Sequence, residues 1–168
     1  VVGGETFDAP LADGCGGEAA FAVPVAGFFQ VATSLLPEVW RRMHAHLGDD
    51  GVLYDLYSGV GVHGLMIESC REGGSAGIVG IEESKPACAA ARANAERFGI
   101  PARYLDGRVE DRLAAAHSER PATRFVLNPG RAGCRPQVLS ELCAVAGARI
   151  AYLSCNPDTL ARDLAVLA

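Results

Sequence analysis

A chain of 168 residues, 49% hydrophobic and 21% charged, has the composition of one globular domain with a sizeable core rather than of a disordered segment. Its net charge of −5, with Lys85 the only lysine, lacks the footprint of a protein that grips nucleic acid unaided, although a local arginine cluster or a further domain could hold an RNA substrate. No apolar run spans a bilayer, no signal segment opens the chain, and the six cysteines form no C-x-x-C pair, so a metal or disulfide framework is not indicated and a cytoplasmic setting is expected.

Residues 1–32 read as an irregular, glycine-rich lead-in with one extended piece, Ala19 to Val25. Residues 33–168 then alternate helix and strand. Ser34 to Leu47 is a predicted helix with Leu35, Val39, Met43 and Leu47 on one face. Val52 to Tyr57 is a strand that leads through a glycine loop into a helix from Val62 to Arg71. Ala76 to Ile81 is the next strand, after which Ser84 caps a helix that Gly99 stops. A strand from Ala102 to Leu105 precedes a helix from Arg108 to His117, and a strand from Arg124 to Leu127 precedes a helix from Arg135 to Ala146. The last strand, Ala148 to Leu153, runs to Asn156 and Pro157, the cap and first residue of a final helix ending near Leu167. Such alternation predicts an α/β fold, a parallel sheet with helices on both faces. Ligands of such sheets bind beyond the carboxyl ends of the strands, where the strand order reverses.

The chemistry-bearing residues fall at those ends. Gly59, Gly61 and Gly64 fit G-x-G-x-x-G, which lets a backbone turn tightly against a ligand. Glu82 closes the next strand, where a carboxylate can accept hydrogen bonds from two ribose hydroxyls. Together they imply a nucleoside-containing cofactor without choosing between a dinucleotide and S-adenosylmethionine. Phe28 and Phe29 beside Gln30 either stack on a base or cap the core. Asn128 closes the fourth strand, facing cofactor or substrate, and Arg131 either pairs with a phosphate or holds its loop. Cys155 stands between a strand and a helix, where the positive helix end suits a thiolate, the nucleophilic form of cysteine; a packing cysteine is the alternative. His44 and His46, two apart on a helix, cannot share a metal. His63 in the glycine loop either touches the cofactor or caps a helix. No metal site is expected.

Five strings, taken in order, resemble the RNA uracil-C5 methyltransferase family. They are G-F-F-Q-V at 27–31, D-L-Y-S-G-V-G at 55–61, V-G-I-E at 79–82, N-P-G-R-A-G at 128–133 and Y-L-S-C-N-P-D-T-L-A-R-D-L at 152–164. The resemblance runs from about Phe21 to Leu164. It implies a Rossmann-like class I methyltransferase fold, with 33–168 as its S-adenosylmethionine-binding catalytic domain. The implied activity is methylation of C5 of a uridine in RNA, with 23S ribosomal RNA the expected substrate and transfer RNA the other choice. Gln30, Tyr57, Gly59, Gly61, Glu82 and Asn128 are implied to line the cofactor pocket, and Phe29, Arg131 and Asn156 the substrate side. Cys155 is implied to add to C6 of a base extruded from its stack. The chain departs from the pattern at Ala32 (usually asparagine), at Val62 and His63 (usually threonine and phenylalanine), and at 128–131, where D-P-P-R is usual. The family pattern also continues through two further strands, which carry the glutamate base. The chain is therefore expected to lack those strands and, in isolation, to bind cofactor without turnover. A nicotinamide-dependent oxidoreductase is the alternative that the glycine motif and Glu82 leave open.

Overall fold

The computed structural model describes residues 6–12, 18–25, 33–71 and 73–168. Its first two strands, β1 (Thr6–Ala12) and β2 (Glu18–Pro24), form an antiparallel pair with Asp8 opposite Ala22. β2 overlaps the extended piece expected from the sequence. β1 is a correction, because that stretch was expected to be irregular. Its alternation is short and built on small side chains, with Ala9 and Leu11 buried and Asp8 and Pro10 exposed. Pro10 is tolerated because a two-stranded ribbon consists only of edges.

A single 3-10 turn (Thr33–Leu35) leads into α1 (Leu36–Leu47), which buries Leu36, Trp40, Met43 and Leu47. The buried face is rotated from the expected one, and Leu35 is 65% exposed. With Pro37 in the first turn, the helix starts after Leu35, and the large indole of Trp40 takes the interior position expected for Val39.

Strand and helix then alternate: β3 (Leu53–Leu56), α2 (Val62–Ser69), β4 (Ile78–Glu82), α3 (Lys85–Phe98), β5 (Ala102–Asp106), α4 (Val109–Glu119), β6 (Arg124–Leu127), α5 (Pro136–Cys143), β7 (Arg149–Tyr152) and α6 (Pro157–Leu167). The predicted ends hold where capping chemistry sets them. Ser84 accepts the Ala87 N–H at 3.4 Å, Gly99 closes α3 with φ of 64°, and Asn156 accepts the Asp158 N–H at 3.1 Å to cap α6.

Strands β3 to β7 are all parallel, in the order β5-β4-β3-β6-β7. Successive residues of the central strands serve opposite faces. Leu53, Ile78 and Val126 join the layer of α1, α2, α3 and the hairpin, while Tyr54, Val79 and Phe125 join the layer of α4 and α5. This is the expected parallel sheet covered on both sides. Its order reverses between β3 and β6, which places the ligand crevice beyond Leu56 and Leu127. Among the described residues, no helix is long and apolar enough to cross a membrane.

Candidate active site

The turn after β3 is held from three sides. Tyr57 adopts φ of 61°, a left-handed conformation that costs a non-glycine residue about 1–3 kcal/mol and persists only where surrounding contacts impose it. Ser58 N–H donates to the Ile81 carbonyl at 3.2 Å, and Gly61 N–H donates to the Ser58 carbonyl at 2.8 Å. Across the crevice, one oxygen of Glu82 accepts the Gly59 N–H at 2.9 Å and the other accepts the Ser84 N–H at 2.8 Å. An ionised carboxylate has about four acceptor sites, so Glu82 retains capacity for a ligand hydroxyl. Beneath the turn, Asp55 accepts the Gly64 N–H at 3.0 Å, and complete burial pushes its carboxyl up to about 8. Behind it, the fully buried Asn94 donates to the Val60 carbonyl at 3.0 Å and exchanges two hydrogen bonds with the Ala22 backbone of β2.

The opposite wall comes from β6 and β7. Leu153 N–H donates to the Leu127 carbonyl at 2.8 Å, carrying the pairing past the end of β7. Ser154 Oγ accepts the Asn156 N–H at 3.1 Å and donates to the Asn156 carbonyl at 3.0 Å, so the intervening Cys155 is turned outward. The Arg131 carbonyl receives the Asn156 side-chain amide at 3.1 Å and the Thr159 hydroxyl at 3.2 Å. Asp163 reinforces this join from within, accepting the Cys134 N–H at 2.7 Å and the Tyr152 hydroxyl at 2.6 Å. Burial alone would raise its carboxyl, but the Tyr152 hydroxyl, the Cys134 N–H and Arg162 hold it below the usual range.

Between the walls lies a cavity of about 1020 Å³. It brings together Tyr57, Gly59, Glu82, Asn128, Arg131 and Cys155. Gly61 lies below the surface of the turn and shapes it. Asn156 has both ends of its carboxamide engaged, in the α6 cap and with Arg131. Phe29 and Gln30 lie outside the described residues. Cys155 is exposed, unlike Cys88 and Cys134, and so does not have the surroundings of a packing cysteine. At the rim, Arg108 and Arg135 both pair with Glu110, while Arg131 is exposed. His63 both lines the cavity and is buried against Trp40 and Asn128. Among the described residues no cluster of His, Cys, Asp or Glu suits a metal ion. Sequence reasoning passed over Asn94, Trp40 and Asp163; only Asp163 carried a signal, as part of the last motif string.

No protein-family model matches the chain. An uncharacterized RNA methyltransferase of Thermotoga maritima is 36% identical over 154 residues, which cover 88% of this chain and 33% of that protein. The tRNA (uracil(54)-C(5))-methyltransferase of Saccharomyces cerevisiae is 32% identical over 146 residues, covering 82% of this chain and 22% of that protein. The chain thus spans about a third or less of the length of these curated relatives. The crystal structure of Pyrococcus abyssi tRNA (uracil-54, C5)-methyltransferase in complex with S-adenosyl-L-homocysteine matches with a TM-score of 0.78 at 25% identity, over 97% of this chain and 38% of that one. The sheet and its covering helices are those of the Rossmann-like class I methyltransferase fold.

Proposed function

We propose that this chain, a homologue of RNA methyltransferases along most of its length, is the cofactor-binding and nucleophile-bearing part of an enzyme that methylates C5 of a uridine in RNA. The observation that carries the proposal is the opening of Cys155 into the same cavity as the glycine turn and Glu82. The residues present fit S-adenosylmethionine as the donor. The cavity is at the upper end of the range for ligand pockets, about 300–1,000 Å³. A Cβ placed on Gly59 would meet no protein atom within 4 Å, so the backbone is bare where a ligand would approach, and Glu82 keeps acceptor sites for ribose hydroxyls. S-adenosylmethionine supplies an electrophilic methyl group.

The remaining chemistry belongs to this chain. C5 of a neutral uracil is a weak nucleophile. Addition of the Cys155 thiolate at C6 forms an S–C6 bond and moves the C5–C6 electron pair into an enolate, which makes C5 nucleophilic toward the methyl group. Loss of the C5 proton to a base then expels the thiolate and restores the ring. In the family pattern that base is a glutamate carried by the two strands that follow the cysteine motif. Cys155 directly precedes Asn156, the cap of α6, so its thiol stands at the amino-terminal end of that helix. The exposed Arg131 stands at the rim to meet a phosphate, and its carbonyl holds the Cys155 segment in place. The family resemblance makes 23S ribosomal RNA the expected substrate. The two relatives described above whose names specify a uridine are tRNA enzymes, so transfer RNA enters the assay on equal terms.

RNA carrying 5-fluorouridine separates the nucleophile from the base, because fluorine cannot leave as a proton and the adduct persists. Mass spectrometry of the protein with S-adenosylmethionine and 5-fluorouridine 23S or transfer RNA should show a covalent adduct that disappears in Cys155→Ala. An undiminished adduct in Cys155→Ala, or calorimetry showing tight NAD binding with none of S-adenosylhomocysteine, would sink the proposal.

A further inference from the structure

Beside the cavity, side chains from three elements form a line of hydrogen bonds. Trp40 of α1 donates its indole N–H to Nδ1 of His63 at 3.0 Å. On the other side of the ring, Nε2 lies 3.3 Å from Nδ2 of Asn128. An indole nitrogen only donates, so Nδ1 is an acceptor and the proton of the neutral imidazole sits on Nε2. Burial keeps the ring neutral, since His63 is 3% exposed and pushed down to about 4. Nε2–H facing an amide NH2 would set donor against donor. The contact is satisfied with the carboxamide turned over, Oδ1 on His63 and the NH2 group toward the cavity.

We infer that Trp40 and His63 are positioning residues that fix Asn128 as a hydrogen-bond donor toward a carbonyl oxygen of the target base. The inference rests on the uridine-C5 reading above. Asn128 follows β6, whose neighbours are β3, which ends at the glycine turn, and β7, which leads to Cys155. It therefore stands between the cofactor side and the nucleophile. Addition of the thiolate at C6 delivers an electron pair through C5 onto O4, and an N–H aimed at that oxygen stabilises the charge as it develops.

The same geometry joins two departures from the family pattern. Where Asn128 stands the pattern has aspartate, and where His63 stands it has phenylalanine. The two oxygens of an aspartate are equivalent, so nothing is needed to tell them apart. The two ends of an asparagine differ, and a ring that accepts from Trp40 on one nitrogen and donates from the other selects which end faces the cavity.

Long-range 1H–15N NMR of the histidine-labelled protein should find His63 as the Nε2–H tautomer, and Trp40→Phe should release that preference. In covalent adduct formation with 5-fluorouridine RNA, which needs no base, His63→Phe should lower the rate about tenfold or more while leaving the affinity for S-adenosylmethionine within about twofold. His63→Gln should recover most of the rate, because its amide also accepts on one end and donates from the other. An Nδ1–H tautomer overturns the relay, and this arm needs no substrate. Equal kinetics for His63→Phe and His63→Gln overturn the positioning role. An Nε2–H tautomer in a protein that forms no covalent adduct with 5-fluorouridine RNA overturns the uridine-C5 reading while sustaining the relay.

Discussion

Asn94 offers the sharpest test of how the hairpin supports the site. It is fully buried on α3, accepts the Ala22 N–H at 2.8 Å, and donates to the carbonyls of Ala22 at 3.1 Å and Val60 at 3.0 Å. Asn94→Ala removes these bonds and leaves their backbone partners facing a small vacancy. A hydrogen bond contributes about 1 kcal/mol net, and a buried group left unsatisfied costs about 1–3 kcal/mol, part of which an entering water recovers. The expected destabilisation is roughly 3–5 kcal/mol, read as a fall in the urea midpoint at constant slope. Function should follow, because Val60 adjoins Gly59, whose N–H is bonded to Glu82. Calorimetry well below the unfolding midpoint should show S-adenosylhomocysteine binding weakened about tenfold, the equivalent of one misplaced hydrogen bond. A loss under about 1 kcal/mol with unchanged affinity would show that Asn94 merely fills space.

Two further perturbations address the turn itself. Gly61→Ala places a Cβ 2.5 Å from the Tyr104 hydroxyl oxygen at a residue with φ of 84°. The left-handed conformation and the overlap together should cost roughly 2–4 kcal/mol in chemical unfolding, and adding Tyr104→Phe should return the steric share; a strictly additive double variant would deny the contact. Asp55, pushed up to about 8 by burial, keeps its proton in the folded chain after the unfolded chain has released it near 3.8. Its contribution to stability is therefore complete below about pH 4, declines as pH rises, and is gone above about pH 8. Urea midpoints should fall across that window and fall less in Asp55→Asn, whereas parallel profiles would place the ionisation elsewhere.

The legible parts of this chain are those whose causes are local. Ser84, Gly99 and the Asn156–Pro157 pair mark helix ends because capping is settled within three or four residues. Strands β3 and β6 are buried along their whole length, and such continuous runs identify central parallel strands. β1 was missed because Ala9 and Pro10 give a weak alternation, and its pairing with β2 supplies what its own sequence does not. The face of α1 was misjudged because the 3-10 turn shifts its start, which spacing alone does not reveal. Buried polar groups were the hardest to read. Asn94, Asp163 and Trp40 reach partners as far as 72, 29 and 23 positions away in sequence, so the chain displays each residue without the contact that gives it a role.

Glu82 shows how that limitation bears on function. The sequence offers it as an acceptor for a ribose, yet in the fold its two oxygens already hold the Gly59 and Ser84 N–H groups. The carboxylate thus first sets the distance between the glycine turn and the start of α3, and only its remaining lone pairs are left for the ribose contact proposed above. Arg131 plays the matching part on the other wall, where its main-chain carbonyl, not its guanidinium, holds Asn156 and Thr159. Each wall is therefore built by a residue whose apparent role is to bind. Glu82→Gln would offer an N–H to one of these backbone donors, so turn and ligand contacts should weaken together. Replacing Arg131 leaves its carbonyl in place and should spare the position of Cys155 while removing the charge at the rim.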